Sequence, residues 1–412
     1  MADLTGKRLL LGITGGIAAY KAAELVRLLT KDGADVQVVM TDAACRFITP
    51  ATMQALSGKP VFVDMWGAGV DDGMPHIELT RGCDLVLVAP ATADFLAKLA
   101  HGLADDLLSA LCLARDCPLI VAPAMNRQMW ENPATRRNML QLREDGIGIV
   151  GPDSGEQACG EVGAGRMVEP VDLHTATTAW FRPKILVGVR VLITAGPTFE
   201  PIDTVRGITN RSSGRMGFAV ARAAREAGAE VTLICGPTAL EAPRDVERIR
   251  VETAQEMMDA VLGRVDRCDV FIGVAAVADF RVKARSTTKI KRSSQTLSLE
   301  LEPNPDILQA VASRPSPPFC VGFAAESENL EEHAAQKRRK KGIPLLAANL
   351  AQEAIDSEDN ELVLIDDGGI QRLKKSPKID QARTLINHMA KLYRSAQATV
   401  SARDGRKVLA SR

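Results

Sequence analysis

The chain repeats one pattern: a short unbroken apolar run, a glycine-bearing loop, then a stretch with apolar residues at helical spacing. Lys7–Ile13 is β-prone, Gly15 and Gly16 make a tight turn, and Ile17–Leu29 has helical periodicity. Further apolar runs at Val36–Met40, Leu85–Ala89 and Leu119–Ala122 predict strands. Runs that do not alternate with polar residues are buried on both faces, which implies a parallel sheet covered by helices. The pattern restarts after Phe181-Arg-Pro-Lys, where Val189–Thr194 predicts a strand, followed by a long loop and a helix from about Gly214 to Ala227. Val231–Cys235, Val270–Val274 and Leu362–Ile365 predict more strands. A fresh strand–glycine loop–helix unit in mid-chain marks a second domain. The expected fold is α/β, two doubly wound Rossmann-like domains in series, 1–188 and 189–395, sharing an architecture but no repeat motif. The small, polar and charged segment 396–412 is expected to be disordered.

A length of 412 residues suits two domains of roughly 200 each. With 46% hydrophobic and 25% charged residues, the composition is that of globular protein. Lys plus Arg and Asp plus Glu balance at 51 each, so no basic field attracts nucleic acid or anionic lipid. Three Trp and two Tyr are too few for a single-strand stacking platform. No apolar stretch is long enough to span a bilayer, and no signal-peptide cleavage pattern is seen. The cysteines (45, 83, 112, 117, 159, 235, 268, 320) include no CxxC pair, against a zinc site or a secreted disulfide framework. The expectation is a reduced, cytoplasmic protein.

Candidate chemistry in the first half lies at strand ends. The loop from Gly12 to Ala18 joins a strand to a helix, where glycines admit an anion and the helix N-terminus offers N–H donors. It is neither GxGxxG nor a P-loop, and glycines there also serve a bare turn. Thr41 ends the second strand where a dinucleotide enzyme carries an acid; Asp42 keeps that reading open, although a hydroxyl suits a phosphate better. The strings beginning Ala89-Pro-Ala-Thr-Ala-Asp94 and Ala122-Pro-Ala-Met-Asn126 leave carboxyl ends of parallel strands, where open α/β sheets bind ligands. His76, just before a strand, reads by spacing alone as a surface or satisfied core residue, and Asn126 as a helix cap. Cys159 stands in a glycine-rich segment too polar for a core, expected to be mobile and able to close over a ligand.

Taken together, GGIAAYK, PHIEL, APATAD, PAMNRQMW and ACGEVGAGRM resemble the flavin-containing cysteine decarboxylases over residues 6–180. The resemblance implies a flavodoxin-like domain whose FMN is held by Gly15, Gly16, Ile17, Thr41, Phe47, Pro90, Ala91, Thr92, Asp94 and Met125. It implies His76 as the base, an imidazole being suited to taking a thiol proton near neutrality. Asn126 is implied to contact the substrate carboxylate, Pro123 and Met125 to shape the pocket, and Cys159 to donate the proton of the reductive half-reaction. The implied chemistry is redox-neutral. FMN oxidises the thiol of 4′-phosphopantothenoylcysteine to a thioaldehyde, CO₂ departs, and reduced flavin with Cys159 returns hydride and proton to give 4′-phosphopantetheine.

In the second half, the stretch from Thr194 to Gly217 is far longer than an ordinary βα loop. Ser212, Ser213 and Gly214 open the following helix, which suits a phosphate or simple capping. GVAAVADF places Asp279 at a strand-end crevice. Lys289 and Lys291 share one face if the Ser/Thr/Lys-rich stretch from Lys283 to Ser294 is extended. With the alternating Leu297–Leu301 and Asn304-Pro-Asp-Ile, it reads as a basic flap over an anion. ENLEEHAAQKRRKKG runs from acidic to basic as the helix dipole favours, and alone reads as a surface helix.

The motifs ITAGPT, ITNRSSGRMG, GVAAVADF, KIK, NPDI, GFAAES and QKRRKKG resemble the bacterial, CTP-using phosphopantothenate–cysteine ligases from about residue 189 to 390. The resemblance implies CTP held by Gly273, Val274, Ala275, Asp279, Lys289, Asn304, Pro305, Asp306, Ile307, Phe323, Lys337 and Lys341. Lys337 and Lys341 lie one turn apart and can face one ligand. Asn210 and Lys289 are implied to handle an acyl-cytidylate, and Asp279 to hold the Mg²⁺ that neutralises the triphosphate. The carboxylate of 4′-phosphopantothenate becomes a mixed anhydride with CMP, pyrophosphate leaves, and the amine of L-cysteine attacks. AQEAIDSEDN (351–360) lacks the Gly-Phe that precedes the acidic turn in the family. The resemblance also implies a homo-oligomer, flavin-domain trimers joined through ligase dimers into a dodecamer, with small-molecule substrates and neither nucleic acid nor membrane as partner. Two other readings stand beside it. A tandem-Rossmann NAD(P)-dependent oxidoreductase is disfavoured because neither half has GxGxxG. A non-catalytic flavin-binding regulatory subunit is disfavoured by the joint presence of His76, Asn126, Cys159, Asn210 and Lys289.

Overall fold

The computed structural model describes residues 3–66, 75–158, 160–292, 296–326, 328–350 and 359–410. The chain forms two compact units, Met1–Phe181 and Arg182–Arg412. The division falls before the boundary at 188–189 read from the sequence. Arg182 pairs with Glu226, and Ile185 and Leu186 pack into the second core.

The first unit runs β1 (Arg8–Ile13), α1 (Tyr20–Lys31), β2 (Asp35–Met40), α2 (Pro50–Ser57), α3 (Pro75–Glu78) and β3 (Leu85–Ala91). It continues through α4 (Ala93–His101), α5 (Leu107–Ala114), β4 (Leu119–Pro123), α6 (Arg127–Glu131), α7 (Pro133–Glu144) and β5 (Gly148–Ile149). It ends with β6 (Asp153–Glu156), β7 (Val162–Arg166) and α8 (Pro170–Trp180). The described sheet has the order β2-β1-β3-β4-β5, and all its pairings are parallel. Alternate side chains of each strand enter opposite cores, as a period of two requires. Leu9, Leu11 and Ile13 pack with Leu25 and Leu29 of α1, whereas Leu10 packs with Val86, Val88 and Leu107 on the other face. The chain leaves β1 in one direction to β2 and returns on the other side at β3, so the crevice between β1 and β3 is the switch point of a flavodoxin-like sheet.

The second unit begins with β8 (Arg190–Ala195), the short strands β9 (Phe199–Pro201) and β10 (Gly207–Thr209), and α9 (Arg215–Glu226). Next come β11 (Glu230–Cys235), β12 (Glu247–Arg250), α10 (Ala254–Leu262), β13 (Val270–Gly273), β14 (Phe280–Val282) and β15 (Leu301–Pro303). Then follow α11 (Ile307–Ala312), β16 (Phe319–Glu326), α12 (Leu330–Lys341) and β17 (Leu345–Leu350). The last strands are β18 (Asp359–Asn360), β19 (Val363–Asp366), β20 (Gly369–Arg372) and β21 (Ser376–Pro377). The main sheet is ordered β12-β11-β8-β13-β16-β17-β19-β20, parallel as far as β17 and antiparallel at β19 and β20. Its switch point lies between β8 and β13.

The segment 396–412, expected to be disordered, is helical through Ala410 as part of one helix, Lys378–Ala410. Its Ala, Arg, Lys and Gln residues are good helix formers, and extending an existing helix adds one hydrogen bond per residue. The glycine-rich segment expected to close over a ligand carries the antiparallel strands β6 and β7, which border the first cleft. No helix among the described residues is long and apolar enough to cross a membrane.

Candidate active sites

At the switch point of the first unit lies a cleft of about 1150 Å³, bounded by the β1 loop, Thr41–Ala43, the start of α4, Ala124–Asn126 and the β6–β7 hairpin. Its floor is set by Thr14, whose buried side-chain oxygen Oγ1 donates to Pro90 O at 2.7 Å and accepts from Thr92 N at 3.0 Å. One hydroxyl thus ties the β1 exit to the β3 exit. Thr92 Oγ1 in turn caps α4 by accepting from Phe95 N. Gly15 is required by close approach, since a Cβ there would lie 2.4 Å from the Ala43 Cβ. Glycine backbone and threonine hydroxyls, beside the apolar Ile17, Phe95 and Met125 and the cations Lys98 and Arg166, fit a flat aromatic cofactor with an anionic tail.

Of the flavin positions expected from the sequence, Gly15, Gly16, Ile17, Thr41, Thr92, Asp94 and Met125 line this cleft. Pro90 and Ala91 are buried, Pro90 serving through its carbonyl beneath the wall. Phe47 is half exposed and not on the wall. Asn126 does both things considered for it: Oδ1 accepts from Met129 N at 2.9 Å, capping α6, and the residue lines the cleft. His76 sits on the short helix α3, not directly before a strand, and does not line the cleft of its own chain. Its Nδ1 is shielded and makes no hydrogen bond among the described residues. Cys159 lies outside the described residues.

Motif reading gave no role to Lys21, Lys98, Gln157 and Arg166, all on the cleft wall, although Lys21 and Arg166 stand within the quoted strings. Lys98 contacts Asp105 at 2.9 Å and Asp106 at 3.0 Å, with Asp94 at 3.9 Å. Its pKa is raised, chiefly by the hydrogen bond to Asp105. The helical spacing of Asp94 and Lys98 in α4 was the available signal.

The second cleft, about 820 Å³, opens between β8 and β13. Every expected nucleotide position lines it except Lys289, which is exposed on the loop after β14. Asn210 reaches across from the β10 exit, donating through Nδ2 to Ala276 O at 3.2 Å and Val277 O at 3.1 Å. Asn304 donates to Ala278 O and its backbone N–H to Asp279 O, fixing the turn that carries Asp279. Asp306 caps α11 through Gln309 N and receives Lys341 Nζ at 2.8 Å on both oxygens. Burial pushes the Asp306 pKa up, but Lys341, the Gln309 N–H and Lys337 together hold it below its ordinary value. Lys337 lies 3.8 Å from Glu326. The clustered cations and the α9 N-terminus at Ser212–Gly214 make this cleft suited to a polyphosphate. A Mg²⁺ that keeps most of its ligands on phosphate and water needs only one or two carboxylates, which exposed Asp279 can supply.

Asn349 and Asn360 also line the second cleft and hydrogen-bond each other at 3.3 Å. Asn349 is the penultimate residue of parallel strand β17, so strand-end position was its signal; Asn360 carried none. The acidic-turn departure noted at 351–360 lies outside the described residues except for its last two.

Residues 1–182 match the Flavoprotein family and residues 186–393 the DNA/pantothenate metabolism flavoprotein C-terminal domain. The Vibrio vulnificus (strain CMCP6) coenzyme A biosynthesis bifunctional protein CoaBC is 47% identical, covering 94% of this chain and 100% of that protein. Its Escherichia coli (strain K12) counterpart is 45% identical over 95% and 98%. Among solved structures, a C-terminal domain of CoaBC is 38% identical with a TM-score of 0.45, covering 52% of this chain and 99% of that one. A PPC decarboxylase mutant complexed with pantothenoylaminoethenethiol is 36% identical with a TM-score of 0.39, covering 42% and 98%. Two switch-point clefts in series, each under its own family match, and near full-length identity to these relatives lead to one conclusion: the chain belongs to the family of coenzyme A biosynthesis bifunctional proteins.

Proposed function

We propose that the second unit joins 4′-phosphopantothenate to L-cysteine with CTP through an acyl-cytidylate, and that the first unit, holding FMN, decarboxylates the product to 4′-phosphopantetheine. The observation that carries this is the pairing of two different switch-point clefts: one where the glycine loop, threonine hydroxyls and apolar residues such as Ile17, Phe95 and Met125 meet, the other lined along one side by Lys337, Lys340 and Lys341 of α12. In the ligase cleft Lys337, Lys340, Lys341 and the α9 N-terminus would hold the triphosphate and Asp279 would take Mg²⁺, while Lys289, on an exposed loop outside the single chain's cleft, would have to be carried to it to neutralise charge as the carboxylate attacks the α-phosphorus and pyrophosphate leaves. Asn210 holds the turn beneath the acyl-cytidylate while the cysteine amine displaces CMP.

In the first cleft FMN supplies, when bound, the two-electron acceptor and its return. Thr14, Gly15 and Thr92 set its seat, Asn126 orients the substrate carboxylate, and Cys159 returns a proton to the product. His76 takes the thiol proton. Because His76 does not line its own chain's cleft, that role requires an oligomer in which one copy's imidazole reaches another's cleft. Trimers of the first unit joined through dimers of the second, in a dodecamer, supply such an arrangement. The cytoplasm, where CTP and free cysteine are available, is the proposed location. The tandem NAD(P) reading is set aside, as is the regulatory subunit.

The deciding measurement is the visible spectrum of purified protein, before and after denaturation. A flavin released at the size of FMN is expected; a colourless protein, or one carrying pyridine nucleotide, would sink the reading. Within the decarboxylase, Cys159→Ser is expected to release CO₂ but stall the reductive half, because serine keeps the size and loses the acidity. An oxidised enethiol product, detected by mass spectrometry, should accumulate. Full turnover to 4′-phosphopantetheine would falsify the proton-donor role.

A further inference from the structure

Asp203 has no part in the chemistry above, yet it is only 1% exposed, at the tip of the β9–β10 hairpin. A carboxylate buried that far keeps its charge only where donors or cations meet its oxygens. Oδ1 closes its own turn, accepting from Val205 N at 2.7 Å and Arg206 N at 2.8 Å. Oδ2 reaches elsewhere: it accepts from Ile290 N at 3.1 Å, across 87 positions of sequence. The Val205 N–H first, then those of Ile290 and Arg206, hold the carboxyl below its ordinary pKa.

Ile290 directly follows Lys289 on the loop after β14, and the same turn holds that loop at two further points. Ser286 N donates to Ile202 O at 3.0 Å, and Arg206 Nη2 donates to Ile290 O at 3.4 Å. Both backbone polar groups of Ile290 are thus met from the turn, Asp203 taking the N–H and Arg206 the carbonyl. Between the two anchor points, Ser286 Oγ donates to Thr288 O at 2.7 Å and tightens the stretch. On its return side the hairpin runs through β10 directly into Asn210. One short hairpin therefore touches the roots of both residues expected to handle the acyl-cytidylate.

We propose that Asp203 is a positioning residue for Lys289: its carboxylate clamps the main chain at Ile290 to the β9–β10 turn and so fixes the root from which the Lys289 ammonium reaches. Lys289 is exposed on a long flexible stem, so its backbone anchor is what defines where its charge can stand. This applies equally to the cleft of its own chain and to that of another copy, since the reach is measured from the same root. The job of Lys289 rests on the ligase reading; the clamp on Ile290 does not.

The test uses the full-length protein with Asp203→Asn, whose amide keeps one oxygen for three N–H groups, and Ile290→Pro, which leaves the Asp203 turn intact and deletes only the donor. Without substrate, amide hydrogen exchange in a peptide spanning residues 286–292 should be at least fivefold faster in Asp203→Asn than in wild type, with exchange in α9 and β11 unchanged. With CTP, Mg²⁺ and 4′-phosphopantothenate, kcat for pyrophosphate release should fall at least tenfold in both variants. KM for CTP should stay within threefold, and CO₂ release from phosphopantothenoylcysteine should not change. In a Lys289→Gln background, Asp203→Asn should remove less than a further twofold, because two groups acting through one ammonium do not add. Unchanged exchange, or a loss that multiplies fully with that of Lys289→Gln, overturns the proposal, the latter by making Asp203 a general prop of the hairpin. If Asp203→Asn does not fold, Ile290→Pro carries the same kinetic and double-variant comparison. A wild-type protein releasing no pyrophosphate from CTP defeats the ligase reading, and the exchange arm still decides the clamp.

Discussion

Asn210→Asp is expected to slow CTP-dependent ligation several hundredfold or more while CO₂ release from phosphopantothenoylcysteine is unchanged. The Asn210 amide gives both of its bonds to carbonyl oxygens, Ala276 O and Val277 O. A carboxylate has no proton for either, and losing two such bonds costs about 1 kcal/mol each. The larger effect is charge. A carboxylate about 4 Å from an acyl-cytidylate phosphate costs on the order of 4 kcal/mol at an effective dielectric near 20, and each 1.4 kcal/mol is roughly tenfold in rate. Pyrophosphate release, assayed with and without cysteine, locates the block: it should persist in Asn210→Asp while dipeptide-like product fails. Lys289→Gln should instead suppress pyrophosphate release itself. If neither substitution touches ligation, the second unit has another function; if either abolishes decarboxylation alone, the division of labour between the units is wrong.

His76→Asn is expected to abolish flavin bleaching by substrate and lower CO₂ release by roughly 10²- to 10⁴-fold, the usual contribution of a positioned base. FMN should remain bound, because His76 is proposed as the base on substrate and not as a flavin ligand. Co-assembly of His76→Asn chains with Asn126→Asp chains should recover part of the activity, since some clefts then combine an intact Asn126 with an intact imidazole from another copy. Loss of flavin on purification, or normal bleaching by substrate, would show that His76 is not the base. Failure of mixed assemblies to recover would show that the site is not shared.

Much of this architecture was legible because its signals are local. The β1, β3 and β8 runs are apolar at consecutive positions, and only a strand buried on both faces needs that. Strand-end logic put Thr41, Asp94, Asn126 and Asp279 on cleft walls before any coordinates. Glycine can signal either freedom or crowding, and sequence does not separate the two: a Cβ on Gly165 would meet Met125 O. Polar composition describes a helix and a disordered segment equally well, so it did not reveal the helix running on to Ala410.

What the sequence alone determined, then, is the order of strands and helices, the restart at mid-chain and the motif residues that name the chemistry, all consequences of spacing within a few residues. Only the tertiary structure decided which residues meet. Lys21 reaches Glu169 across 148 positions, and Asn210 reaches Ala276 across 66. Contacts at such separations are set by strand order and by burial that leaves a charged or polar group no other partner, and neither has a local pattern to read. The same holds for what does not meet: His76 and Lys289, each placed by resemblance at a reaction centre, do not line the clefts of the single chain that they were expected to join.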